Sequence, residues 1–370
     1  MNERTQGQAG GSREKARDRM RRTAAETVEI ARSGVYAYRG QSIDIRAAQR
    51  LSEEGSRLIT PERGAEIVRT LAGRSGSLRT DYRVVNESAV KTVRELAVGG
   101  AGLGEVAGGE SVGAVRDAAA GGAAAREAEQ GEAGREAGRS EVAAGGAGGG
   151  EAVREAVGEG RIGEAVREAA AGGAVIAGTG RIGLLNFASA KNPGGGFLNG
   201  ATAQEENLAI SSGLYLSQLR NAGYYDANRA CGSMMYTHHA IYSPDVVFFR
   251  DERFELAPPV CASVLTLPAV NYGQVLLKGE DADQAKIAML ERMRLALAIF
   301  AERGDRTIVL GAYGCGVFRN DPAEVASWWR RLLDGEGWSA HFEQVVFAVL
   351  DRSQDGRTLR PFERIWGRAL

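Results

Sequence analysis

The sequence predicts an α/β fold in three layers, with a sheet carrying helices on both faces. Three observations point there. Short runs of β-branched and aromatic residues alternate with segments of helical period. The run Ile182–Ala188 is apolar almost throughout, as in a strand covered on both sides. Glycine-rich loops follow two of the runs, at the strand ends where open α/β sheets bind ligands.

The first twelve of the 370 residues are polar and glycine-rich and read as a disordered tail. Residues 13–80 form a mainly helical extension. Over Arg13–Ser33 the residues Ala24, Val28 and Ala31, with Thr27 and Ile30 beside them, make an apolar stripe, and Gly34 suits the helix C-terminus. Val35–Tyr38 reads as a short strand turning at Arg39-Gly40-Gln41, and Ala47–Leu51 and Pro61–Leu71 as short helices. The main domain comprises residues 81–98 and 174–370, opening with a strand at Asp81–Val85 and a helix at Ser88–Leu96.

Between its two parts lies a segment built almost entirely of Gly, Ala, Glu, Arg and Val. Residues 99–173 hold 22 of the 51 glycines in the chain, against only 8 prolines. Glu151–Ala156 recurs as Glu164–Ala169, with a weaker copy at Ala114–Ala119. These hexamers favour helix, but glycines bound them and they carry few apolar residues to bury. The segment therefore reads as a low-complexity insertion, since solenoid repeats would need large apolar residues at a fixed period.

Beyond it, strands are expected at Ala240–Ser243 and Val246–Phe249, around Pro244-Asp245, then at Cys261–Ala269, Thr307–Gly311 and Gln344–Leu350. Asp283–Ala301 reads as an amphipathic helix with Ile287, Leu290, Met293, Leu297 and Phe300 inward. Pro322–Leu333 reads as a helix capped by Asp321, with Trp328 and Trp329 as packing residues.

Lys+Arg 46 against Asp+Glu 47 gives a net charge of −1, which argues against a globally basic nucleic-acid binder. No run is long and apolar enough for a membrane span, and the basic N-terminus lacks the apolar core of a secretory signal. Cys231, Cys261 and Cys315 lie far apart without a CxxC pair, so a reduced, cytoplasmic protein without structural zinc is expected. His238, His239 and His341 are too few and too scattered for a metal site.

Two stretches carry chemistry. After the Ile182–Ala188 strand come Asn192-Pro193-Gly194-Gly195-Gly196 and, seven residues on, Gln204-Glu205-Glu206 at the start of a helical pattern. After the Thr307–Gly311 strand comes Gly311-Ala312-Tyr313-Gly314-Cys315-Gly316-Val317-Phe318-Arg319-Asn320. Both loops suit nests of inward N–H groups that hold phosphate oxygens, two nests fitting a diphosphate. Neither is a Walker A loop, because no GK[ST] follows. Adjacent carboxylates at a helix start diverge by about 100°, so Glu205 and Glu206 are expected to have separate tasks, one orienting a hydroxyl and one exchanging protons. A carboxyl near a partly buried loop and a second carboxylate should hold its proton more tightly, as a general acid requires. Triple glycine alone is often just a flexible loop, and acidic residues at a helix start often only complement its dipole. The combination behind a buried strand is what is specific. Cys315 has no neighbouring histidine in sequence and is not expected to be a nucleophile. Asn271 falls at a ligand-facing strand end and is a candidate contact.

The element GGG-x7-QEE, within NFASAKNPGGGFLNGATAQEENLAISSGLY, resembles the signature of the microbial poly(ADP-ribose) glycohydrolases. GAYGCGVFRNDPAEVA resembles the second ligand loop of that family, and TAAETVEIARSGVY and FEQVVFAVLDRS extend the likeness over most of the chain apart from residues 99–173. The resemblance implies a macrodomain-like α/β/α sandwich with a mixed sheet and an ADP-ribose cleft. It implies exo-acting cleavage of ribose–ribose bonds in poly(ADP-ribose), or on ADP-ribosylated protein, with ADP-ribose as product and no cofactor or metal. Glu206 would protonate the glycosidic oxygen and then activate water. Glu205 would bind ribose hydroxyls, and Gln204 would support the loop. Gly194, Gly195 and Gly196 would lie against the distal ribose and diphosphate, and Asn192 would hydrogen-bond a ribose. Gly314, Cys315 and Gly316 would hold the diphosphate, and Val317 and Phe318 would pack on ribose. A macrodomain that binds ADP-ribose without cleaving it, and a hydrolase of mono-ADP-ribose linkages, are the alternatives. No membrane partner and no sequence-specific nucleic-acid binding are expected.

Overall fold

The computed structural model describes residues 3–73, 76–99 and 181–367. Apart from Gly99, the low-complexity segment 99–173 and its repeats fall outside them. The first elements are α1 Glu3–Ser33, β1 Val35–Tyr38, β2 Gln41–Asp44, α2 Arg46–Gly55, β3 Arg57–Ile59, α3 Pro61–Leu71, β4 Asp81–Val85 and α4 Ala89–Gly99. After the undescribed segment come β5 Ile182–Phe187, α5 Gln204–Ser211, α6 Leu214–Leu219, α7 Ala222–Ala230, β6 Ala240–Arg250 and β7 Leu256–Leu267. The chain continues through α8 Tyr272–Leu277, α9 Ala282–Arg303, β8 Thr307–Leu310, α10 Pro322–Arg330, β9 Gln344–Ala348 and α11 Arg360–Trp366.

Seven strands form one mixed sheet in the order β3-β6-β7-β5-β8-β9-β4. The five from β7 to β4 pair in parallel, while β6 runs antiparallel to both β7 and β3. Period-2 alternation sends successive side chains to opposite faces. Leu185, Leu265, Ile308, Leu310, Val345 and Phe347 meet the buried residues of α3, α9, α10 and α11 on one side. Leu184, Val264 and Val309 meet α4 and Leu208 of α5 on the other. This is the expected three-layer arrangement. A separate β1–β2 hairpin packs with α1 and α2 against Val247, Phe249 and Cys261.

Several expectations change in detail. Helix α1 begins at Glu3, so the stretch predicted as a disordered tail continues the helix set at Arg13. Extending an existing helix fixes one residue per hydrogen bond, far cheaper than nucleating one. The two strands around Pro244-Asp245 are one strand, β6, whose register shifts between Ser243 and Val246 with Asp245 at φ +47. Such a bulge accommodates a proline inside a strand. Ile287 is 48% exposed rather than inward. Between Leu295 and Phe300 every residue of α9 is buried, because this part of the helix lies between the sheet and α3, so a single stripe does not describe it. His238 and His239 lie in the segment just before β6. Among the described residues, no helix is long and apolar enough to cross a membrane.

Candidate active site

Parallel strands β5 and β8 deliver both glycine loops to the same end of the sheet, where they face each other across a cleft. A cavity of about 380 Å³ there is lined by Asn192, Gln204, Glu205, Glu206, Gly314, Gly316, Val317 and Phe318 from the sequence-predicted set. A second cavity of about 300 Å³ adjoins it and takes in Cys315 together with Glu87, Ser88 and Thr358. The two share Phe187, Ala203, Gln204, Ala312 and Gly316 as a common wall.

The carboxylates diverge as the helix start requires. Glu205 turns inward and is 3% exposed. Its Oε1 accepts from Asn186 Nδ2 at 3.2 Å and Gln218 Nε2 at 3.0 Å, and its Oε2 accepts from Ser189 N at 2.7 Å. Burial pushes its pKa up to about 8 against these hydrogen bonds, which favour the charged form. Burial thus favours the protonated form of Glu205, whereas the resemblance assigns the general acid to Glu206. Glu206 reaches back over its own helix start. Its Oε1 accepts from Gly196 N at 2.9 Å and its Oε2 from Ala203 N at 3.0 Å.

This overturns the phosphate nest expected at the triple glycine. Gly194 N donates to Gln218 Oε1 at 2.8 Å, Gly195 N to the Asn192 carbonyl, and Gly196 N to Glu206. The nest faces inward and holds protein groups, and none of the three glycines lines the cavity. Gly194 and Gly195 have φ of +64 and +59, and a Cβ on Gly195 would stand 3.0 Å from Glu206 Cδ and 3.1 Å from Glu205 Oε2. Glycine is needed there for a left-handed turn pressed against two carboxyls.

The second loop keeps several donors free, but not that of Cys315, whose N–H donates to Ala312 O at 3.1 Å and so, contrary to expectation, is not available to the diphosphate. The N–H groups of Gly314, Gly316, Val317 and Phe318 have no acceptor among the described residues. Gly314, at φ +73, packs against Asn320, whose Nδ2 donates to the carbonyls of Val270 and Gly314. Val317 stands 82% exposed at the rim, and the Phe318 ring faces Tyr236 with centroids 6.1 Å apart. The first-turn N–H groups of α5 are also open, since Ala203 has no side-chain acceptor to cap them.

Gln204 braces β5, accepting from Phe187 N at 2.9 Å and donating to Leu185 O at 2.9 Å. Asn271 caps α8 through Gln274 N and does not line the cleft, so the contact suggested for it is withdrawn. The Cys315 thiol is half-buried beside the Tyr313 carbonyl, and burial pushes its pKa up, which suits no nucleophile. His238 faces Glu291 with its pKa pushed down to about 4 by burial, while His239 pairs with Thr237. Trp329 packs in the core and donates to Gly311 O.

Gln218, Asn186 and Thr266 were missed. Gln218 is fully buried and ties Gly194, Glu205 and Thr266 together. Nothing in its local sequence separates it from a surface glutamine. Tyr236, at φ +58 on the cleft wall, was also missed.

The solved poly(ADP-ribose) glycohydrolase of Thermomonospora curvata is 30% identical to this chain, with 94% of this chain and 99% of that one covered at a TM-score of 0.68. The chain belongs to the microbial-type poly(ADP-ribose) glycohydrolases. The catalytic-domain model of that family, the microbial-type PARG catalytic domain, matches residues 124–251 of this glycohydrolase. The match begins inside the segment 99–173, which the sequence reading set outside the family pattern. The T. curvata glycohydrolase with the inhibitor ADP-HPD is 29% identical, with coverages of 94% and 99% and a TM-score of 0.66. The Deinococcus radiodurans glycohydrolase in complex with ADP-ribose is 34% identical, with coverages of 85% and 95% and a TM-score of 0.60. No curated protein matches the chain.

Proposed function

We propose that this glycohydrolase, a glycoside hydrolase acting on poly(ADP-ribose), seats one ADP-ribose unit across the two cavities and transfers protons through Glu206. The carrying observation is the waist between the cavities. Gly316, whose N–H lacks an acceptor among the described residues, and Gln204, at the uncapped start of α5, both line it, and the carboxyl pair lies on one side only. An ADP-ribose unit has its diphosphate in the middle and a sugar at each end, so the waist takes the diphosphate. Gly314 and the N–H groups of Val317 and Phe318 extend that cradle, with the two side chains against ribose. The adenosine end enters the second cavity, where Glu87 Oε2 is buried without a partner and suits an amino-group donor.

The distal ribose then lies against Glu205, Glu206 and Asn192. Two backbone N–H groups fix the Glu206 carboxyl and leave each oxygen a further lone-pair site. From there it delivers a proton to the ribose–ribose oxygen as the C–O bond breaks. The leaving chain departs as an alcohol. Water adds to the oxocarbenium-like ribose, and Glu206 takes the proton back. Glu205, whose burial favours the protonated form, fixes the ribose hydroxyls. The triple glycine and the Gln204 side chain, which braces β5, shape this end from behind.

The finer reading is exo-acting release of ADP-ribose from polymer carried on modified protein, in the cytoplasm, where three unpaired cysteines are at ease. The test is Glu206→Gln. Polymer should stay at full length while calorimetry still reports ADP-ribose binding, and wild-type shortening by this variant would sink the assignment. Release from a mono-ADP-ribosylated protein, measured beside polymer, separates the two linkages.

A further inference from the structure

Resting on that reading of Glu206, we infer that helix α1 belongs to the catalytic apparatus, with Arg17 and Arg21 as positioning residues. Glu206 is held by the N–H groups of Gly196 and Ala203, the two ends of one loop, residues 196–203. The middle of that loop is held from outside. Arg17 Nε donates to the Asn199 carbonyl at 2.8 Å, and Arg21 Nε reaches the same oxygen at 3.4 Å.

Gly200, at φ +78, lies flat on the helix, where a Cβ would stand 2.7 Å from Arg17 O and 2.8 Å from Arg17 Cγ. Phe197 is buried with Ala24, Ala209 and Ile210, and Met20 and Val28 pack on this cluster. Thr27 Oγ1 donates to Ile210 O at 2.7 Å, so α1 also grips α5, the helix that carries Glu206.

The loop joins no strand ladder, and its own hydrogen bonds close only short turns. A charged donor on its exposed carbonyl is the anchor such a segment lacks by itself. If the anchor goes, the two N–H groups that aim Glu206 shift with the loop. A misplacement near 1 Å costs roughly 100-fold in rate. A helix that begins more than 150 residues before the signature in sequence thus sets where the carboxyl points.

The experiment compares Arg17→Ala/Arg21→Ala, Arg17→Lys/Arg21→Lys and Gly200→Ala, each in the full chain, on polymer turnover and ADP-ribose calorimetry. In the double alanine variant kcat should fall about 10- to 100-fold, with KM and the ADP-ribose Kd unchanged. The lysine variant should recover part of kcat, because an ammonium still donates to the carbonyl. Gly200→Ala should reproduce the kcat loss by pushing loop and helix apart. The melting temperature of the double alanine variant should stay near wild type, because α1 remains packed through Ala24, Thr27 and Ile30. Wild-type kcat in the double alanine variant, with Glu206→Gln inactive, overturns the inference. So does a kcat loss matched by an equal loss of ADP-ribose binding or of folded protein. An active Glu206→Gln would instead overturn the reading beneath it.

Discussion

Gly195→Ala offers a sharp test of the inward-facing glycine nest. The new methyl would stand 3.0 Å from Glu206 Cδ and would overlap Oε1 of the same carboxyl. Carbon pairs rest at about 3.5–4.0 Å, so the carboxyl has to retreat by roughly 0.5–1 Å. Displacement on that scale costs up to about 100-fold in kcat. Alanine at φ +59 adds a backbone penalty of about 1–2 kcal/mol, which should appear as a melting temperature lower by roughly 2–8 °C.

Gly279→Ala separates the two effects. Gly279 has φ +67 and nothing within 4 Å of a built Cβ, so it pays the backbone cost alone. Polymer turnover and thermal melts on both variants give the answer. Both should melt lower, and only Gly195→Ala should lose kcat. Turnover by Gly195→Ala within threefold of wild type would refute the reasoning, since the carboxyl could then move without consequence.

Further outcomes follow from the same geometry. Because burial raises the Glu205 pKa from 4.5 to about 8, the folded chain keeps a proton that the unfolded chain loses. The group's stabilising contribution is complete below about pH 4.5 and fades as pH rises through 8. The melting-temperature advantage of Glu205→Gln over wild type should therefore grow from pH 5 to pH 9, and a constant difference would count against that linkage. Deleting residues 104–161 should leave folding and polymer hydrolysis intact, because every residue assigned to the site lies outside them. Loss of folded protein in that deletion would give the segment a structural role.

Much of the site was legible because it is local in sequence. The buried run before Asn192, the three glycines and Gln204-Glu205-Glu206 fall within one strand–loop–helix passage. Helix geometry alone separates the two carboxyls, and the structure gives them different partners. The position of the second loop was legible for the same reason, and the N–H groups of Gly314 and Gly316 lack acceptors among the described residues, whereas that of Cys315 bonds Ala312 O. The direction of the first nest was not legible. Whether a glycine N–H faces ligand or protein depends on what stands behind the loop, and Gln218 and Glu206 stand there.

The sequence by itself determined the three-layer α/β class, the family signature and the pair of loops at one sheet edge, because these follow from periodicity and from short-range spacing. Only the tertiary structure decided which carboxyl is buried, which loop keeps free donors, and that α1 grips the loop aiming Glu206. Those outcomes rest on desolvation and on contacts such as Arg17 to Asn199, Gly194 to Gln218 and Asn186 to Glu205. The partners in such contacts can be close or distant in the chain, and no pattern in the sequence marks which will meet.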